Sequence, residues 1–160
     1  MKAKLIVPAG IALAAISAVT FVNLRSDPNT AEGIYFLGQP VTNQQLVLGQ
    51  DLYASNCASC HGDNLEGQAD WKRRLENGRM RAPPHDETGH TWHHSDRNLF
   101  SVTKGGVAAA VPGYESDMPA FGDTLTDAEI KTVLAFIKST WPEKQRNFQA
   151  KISANDKGDL

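Results

Sequence analysis

Gly49-Gln50-Asp51-Leu52-Tyr53-Ala54-Ser55-Asn56-Cys57-Ala58-Ser59-Cys60-His61-Gly62 decides how the rest of the chain is read. Its core is Cys57-Ala58-Ser59-Cys60-His61, and these are the only two cysteines among 160 residues. Thiols three positions apart close too small a loop to staple a fold, so they form a chemical site rather than a framework. On one helical turn they can add to the two vinyl groups of one haem, with the next imidazole, His61, aimed at the iron. Two other chemistries use such a pair. A thioredoxin-like redox site follows a strand in an α/β context, whereas a helical segment precedes this one. A structural zinc site needs four ligands, and the cysteines are exhausted after two.

Upstream of the motif, Leu46, Gly49 and Tyr53 recur at helical spacing from Thr42, whose hydroxyl can cap the first turn. Gly49 costs about 1 kcal/mol against alanine in a helix interior, which points to close approach of another helix. Residues 25–41 hold Pro28, Gly33, Gly38 and Pro40 and read as a linker. Before them, Lys2 and Lys4 precede twenty uncharged residues from Leu5 to Leu24, closed by Arg25. A basic start and an apolar run signal export, and about 20 residues suffice to span a bilayer. Residues 1–24 therefore read as a signal-anchor helix with residue 25 onward outside the cytoplasm. The alternative is a cleaved signal peptide, for which Ala15-Ile16-Ser17 is the nearest cleavage site.

Downstream, residues 62–89 are rich in glycine, proline and charge, with a short helix expected around Asp70 to Glu76. Ser95 can cap a helix through Leu99 and Val102 that ends at Gly105-Gly106. A loop over 107–122 carries Met118-Pro119. Thr126 with Glu129 forms a capping box for a helix whose apolar face is Ile130, Val133, Leu134 and Ile137, stopped by Pro142. The tail 143–160 is polar and expected to be loosely ordered. No repeat and no strand pattern emerges, so the fold class is all-α, with one folded domain over 42–142. Net charge is −2, with 41 % hydrophobic and 21 % charged residues, so nothing points to nucleic acid.

The sixth iron position sets the function. Met118 is the candidate, because the loop before the last clear helix must wrap to the opposite haem face and Pro119 holds Met118 extended. Met80 lies too close to the motif, in a basic stretch. The ordered pattern Gly49-x-x-x-Tyr53-x-x-x-Cys57-x-x-Cys60-His61-Gly62, Met118-Pro119 and a helix ending Trp141-Pro142 resembles class I cytochrome c over about residues 43–142. The resemblance implies helices around one covalent haem c with His61 and Met118 as axial ligands. It also implies a crossing of Gly49 and Tyr53 over Val133 and Phe136. A proline carbonyl should accept from His61 Nδ1–H, and Pro84 or Pro83 fills that role.

One departure is the crowd of His85, His90, His93 and His94 around Trp92. Propionate or loop hydrogen bonding is the expected use, with Trp92 and Pro84 as further haem contacts. A second metal such as copper, or distal ligation in place of Met118, are the sharper alternatives. Lys72, Arg73, Arg74, Arg79 and Arg81 form a basic run, either a solvated face or an orienting surface for an acidic partner. The function implied is single-electron transfer without catalysis, between partners such as a quinol–cytochrome c reductase and a terminal oxidase. A non-catalytic subunit of a larger oxidoreductase is the alternative, and a haem enzyme or gas sensor with a labile sixth ligand is a third reading.

Overall fold

The computed structural model describes residues 28–158. The expected N-terminal anchor helix over 1–24 lies outside the described residues. Among the described residues, no helix is long and apolar enough to cross a membrane.

The chain opens with a hairpin, β1 (Thr30–Phe36) against β2 (Gln39–Thr42). Phe36 pairs with Gln39 across a two-residue turn, Leu37-Gly38, in which both residues have positive φ, at 50° and 76°. Such a turn matches the natural twist of antiparallel strands. From residue 30 onward the linker reading of 25–41 thus gives way to a packed element. Ile34, Phe36 and Val41 are buried in the main core, which the short strands reach from one face.

Helix α1 (Asn43–Asn56) starts at Thr42, whose side chain accepts from Gln45 N while Gln45 returns the bond to Thr42 N. One turn, α2 (Ala58–His61), follows the break at Cys57. The expected helix near Asp70–Glu76 is instead a set of turns closed by a bridge between Arg74 and Met80. A 3-10 turn (Thr91–His93) leads to α3 (Asp96–Gly105), capped by Ser95 as expected. Then come the short α4 (Val107–Ala110) and α5 (Asp127–Thr140), with the Thr126–Glu129 capping box formed.

Helices α1 and α5 cross at Gly49. A Cβ there would sit 2.6 Å from both Phe136 Cβ and Thr132 O, so the crossing needs glycine. Phe136 is where expected and also meets Tyr53, ring to ring, at 5.8 Å. Thr132, rather than Val133, makes the other tight approach. Ile130, Val133, Leu134 and Ile137 are all buried, and Trp141 closes the core at 1 % exposure.

The loosely ordered tail of the sequence reading is instead α6 (Glu143–Asn155). Its anchor is polar, which is why hydropathy concealed it. Gln149, fully buried, donates to Asp96 Oδ1 at 2.7 Å and His94 O at 3.1 Å. Asp96 also takes Lys138 Nζ at 3.0 and 3.2 Å and Leu37 N at 2.8 Å. One buried carboxylate therefore joins the hairpin, α3, α5 and α6.

Candidate functional site

The attachment turn is assembled where α1 runs out. Cys57 N still donates to Tyr53 O at 2.8 Å, but the backbone there turns away, and His61 N then closes on Cys57 O at 2.9 Å. Tyr53 Oη donates to Gly62 O at 2.8 Å, tying the end of the motif back to α1. Cys57 is half-buried and Cys60 exposed, and the two are not joined to each other. Burial, and then the neighbouring Cys60, push the Cys57 thiol up to about 11. A thioredoxin-like nucleophile requires the opposite shift, since thiolate is the reactive form. Cys57 is thus unlike a redox nucleophile, and it shares with Cys60 and His61 the single turn that haem attachment requires.

His61 is buried, and its Nδ1 lies 2.8 Å from Pro83 O. A carbonyl only accepts, so Nδ1 carries the proton and Nε2 keeps its lone pair for a metal. Burial lowers the affinity of this ring for a second proton, with the Pro83 bond opposing, which favours the neutral ligating form. The proline that serves His61 is therefore Pro83. The Pro84 carbonyl, the other candidate, accepts instead from Thr91 Oγ1 at 3.4 Å. The twin prolines are fixed from two sides. A Cβ at Gly67, which has φ +69°, would lie 2.4 Å from Pro84 N, and one at Gly89 would lie 2.0 Å from Pro84 O.

His85 stacks on His61, with centroids 3.9 Å apart and planes 20° from parallel. Its Nδ1 meets Thr91 Oγ1 at 2.8 Å, and because that hydroxyl donates to Pro84, His85 is the donor. Trp141 Nε1 reaches His85 O at 2.7 Å, and His85 N reaches Leu65 O at 2.7 Å. Burial, followed by the adjacent His61, drives the His85 imidazole well below its ordinary value. Nothing in the sequence marks His85 as a partner of His61. Only a loop that folds back beneath the motif makes the pair.

The other histidines disperse. His90 stacks on Trp71 at 5.5 Å, His94 meets His90 edge-on at 5.4 Å, and His93 lies on Trp92 at 3.7 Å. Among the described residues, no group of three or more His, Cys, Asp or Glu converges to hold a metal, so the copper alternative finds no site there. Trp92 packs towards Phe148 of α6 at 5.5 Å and donates to Glu87 O at 3.3 Å. The basic run is largely engaged within the chain. Arg79 pairs with Asp117 and Glu115, Arg74 lies over Tyr114, Arg81 donates to Arg73 O, and Lys72 lies over Trp71.

Met118 is half-buried against the core on the loop leading to α5, its N–H bonded to Ser116 Oγ at 3.1 Å. With Arg79, Gly106, Tyr114 and Ala120 it lines a cavity of about 380 Å³. The Nε of Arg79 is buried there without a partner. The two thiols and the lone pair of His61 Nε2, brought together on one turn, are the donor set that would hold a covalently attached haem.

The family model for cytochrome c matches residues 46–141, more than half the chain. Among curated proteins, the CcoP subunit of the cbb3-type cytochrome c oxidase of Rhodobacter capsulatus is 28 % identical over 107 residues, which is 64 % of this chain and 31 % of that protein. The FixP subunit of the corresponding oxidase of Sinorhizobium medicae is 28 % identical over 134 residues, covering 81 % of this chain and 42 % of its own. The match thus spans only 31 % to 42 % of the length of these relatives. Among solved structures, cytochrome cL of Methylophaga aminisulfidivorans matches 74 % of this chain and 69 % of its own at 22 % identity and a TM-score of 0.48. With that family match laid over the Cys57-Cys60-His61 turn, the chain belongs to the cytochrome c family, binds haem c covalently through Cys57 and Cys60, and serves haem-based electron transfer.

Proposed function

We propose that this cytochrome is a His61/Met118-ligated, non-catalytic electron carrier that works outside the cytoplasm at the membrane surface. The observation that carries the reading is the His61 Nδ1–Pro83 O bond of 2.8 Å, which holds the ring in its Nε2-ligating tautomer. Haem c, when bound, supplies a one-electron ferric/ferrous couple whose potential methionine ligation raises. The protein's part is to hold that couple in place and limit what reaches it. His61 is locked by Pro83 and by the His85 stack, so its ring keeps one orientation in both oxidation states. With haem bound, Met118 would supply the second protein ligand to the iron and so deny that position to small ligands.

The partners we favour are a quinol–cytochrome c reductase as donor and a terminal oxidase as acceptor, with the apolar segment 5–24 as membrane anchor. A second reading, a fixed electron-transfer subunit within an oxidase complex, draws support from the likeness to CcoP and FixP. The test has two parts. The holoprotein should show a c-type reduced spectrum, a far-red sulfur-to-iron band when oxidised, and no response to carbon monoxide. Met118→Ala should keep covalent haem, lose the far-red band, bind carbon monoxide and lower the potential; an unchanged potential overturns the ligand assignment. Co-purification with an oxidase in detergent favours the subunit reading, and free exchange of the reduced protein with oxidase membranes favours the carrier.

A further inference from the structure

The loop that carries Met118 is fastened unevenly. At its C-terminal end Phe121 N donates to Thr103 O at 3.0 Å and Gly122 N to Lys104 O at 2.9 Å. Upstream of those, the bonds found among the described residues are local: Tyr114 N to Val111 O and Met118 N to Ser116 Oγ. Two side chains reach this stretch from far away in sequence: Arg74 lies over the Tyr114 ring, and Arg79 makes the charged contacts. Arg79 Nη1 lies 2.5 Å from Asp117 Oδ1, and its Nη2 lies 3.5 Å from Glu115 Oε2. Arg79 is itself held in a tight turn, with Leu75 N on its carbonyl at 2.8 Å and its own N–H on Asn77 Oδ1 at 3.1 Å. The same residue borders the cavity that Met118 lines.

We propose that Arg79 is the positioning residue for the sixth ligand: by gripping Asp117 and Glu115, it pins the loop that presents Met118 and sets how readily an outside ligand displaces the thioether. The inference rests on the reading of Met118 as that ligand. A thioether is a neutral, weak donor, so its hold on iron depends on how closely the loop confines it. Every freedom removed from the detached loop raises the local concentration of sulfur at the site. The size of the effect is bounded by exposure. The side chains of Arg79 and Asp117 are 36 % and 53 % exposed, so the pair lies in the class worth at most about fivefold in an equilibrium. Screening follows from the same exposure: at about 1 M salt the Debye length shrinks to roughly 3 Å and the grip weakens.

The test is displacement of Met118 by imidazole in the ferric holoprotein, followed by loss of the far-red band. Arg79→Gln and Asp117→Asn should each tighten imidazole binding about two- to fivefold. The double variant should bind no tighter than Arg79→Gln alone, because Asp117→Asn removes a contact that the loss of Arg79 has already removed. Raising the salt should bring the wild type towards Arg79→Gln and leave Arg79→Gln unmoved, a response that a merely structural role of Arg79 would not produce. Arg79→Lys should recover part of the wild-type value. Unchanged affinity in both single variants overturns the proposal, as do effects that multiply in the double variant or equal salt dependence in all forms. If Arg79→Gln fails to fold, the more exposed Asp117→Asn and the salt titration of the wild type decide alone. Met118→Ala in the same titration separates the two levels. If its far-red band persists, the ligation reading falls and takes the inference with it. If its band vanishes while Arg79→Gln keeps wild-type affinity, only the inference falls.

Discussion

At the residue scale, the chemistry of His61 depends on where a carbonyl 22 positions away is held. Pro83 O can serve Nδ1 only while the strip 83–85 stays in place, and that strip is wedged between Gly67 and Gly89. A methyl group at Gly89 would lie 2.0 Å from Pro84 O, a backbone atom that cannot rotate away. Gly89→Ala is therefore expected to lower stability by about 1–3 kcal/mol, the usual cost of overpacking. Because a hydrogen bond at Nδ1 makes the ring more basic, its disturbance should also raise the reduction potential. Chemical denaturation and a redox titration on the same preparation check both, and a stable variant with unaltered potential would refute the coupling. The methionine, the thiols and His61 are all legible as residues. Pro83 against Pro84 was not, because two adjacent carbonyls differ only in the direction the folded loop gives them.

At the element scale, two contacts decide how the helices assemble around the site. Where α1 crosses α5, Gly49→Ala would gain up to about 1 kcal/mol in helix propensity. The added Cβ, 2.6 Å from Thr132 O and Phe136 Cβ, forces the helices apart and costs about 1–3 kcal/mol. The net effect expected is destabilisation, read as a lower urea midpoint. The second contact is the buried carboxylate of Asp96, which receives Lys138, Gln149 and the Leu37 amide. Asp96→Ala leaves the Lys138 ammonium buried without a counter-charge, for which about 3–5 kcal/mol is the expected loss. Equal stability of wild type and variant in urea would contradict that role. The capped helices were readable from Thr42, Ser95 and Thr126, because a cap is a local interaction. Helix α6 and the hairpin were not, because the polar Gln149 anchors one and a Leu-Gly turn closes the other, and neither carries a strong periodic signal.

For the molecule as a whole, pH acts through histidines that are partly withdrawn from water: His94 is half-buried, and His90 lies at the surface against Trp71. Burial, then His94, lowers the affinity of His90 for a proton; burial, then His93, does the same for His94, with Asn98 opposing. The unfolded chain, with ordinary imidazoles near 6.5, therefore takes up protons before the folded one. Stability is fully present above about pH 6.5 and is lost as pH falls through the folded values. The urea midpoint of the holoprotein should fall between about pH 7.5 and 5, and the His90→Gln/His94→Gln double variant should fall less over that window. Parallel curves for the two would show that these rings do not carry the effect.

The sequence by itself determined the chemistry and the helical frame: two thiols and an imidazole on one turn, a methionine before a proline, caps at three helix starts, and a glycine awaiting a crossing helix. These are short-range facts, set by residue type and by spacings of three to four positions. Tertiary structure decided which carbonyl serves His61, that His85 stacks on it, that Arg79 reaches the Met118 loop, and that the two ends of the described chain are joined through Asp96. Each of these needs groups between 22 and 59 positions apart to meet. Such meetings are set by how the loops pack against a common core, and no local pattern encodes them.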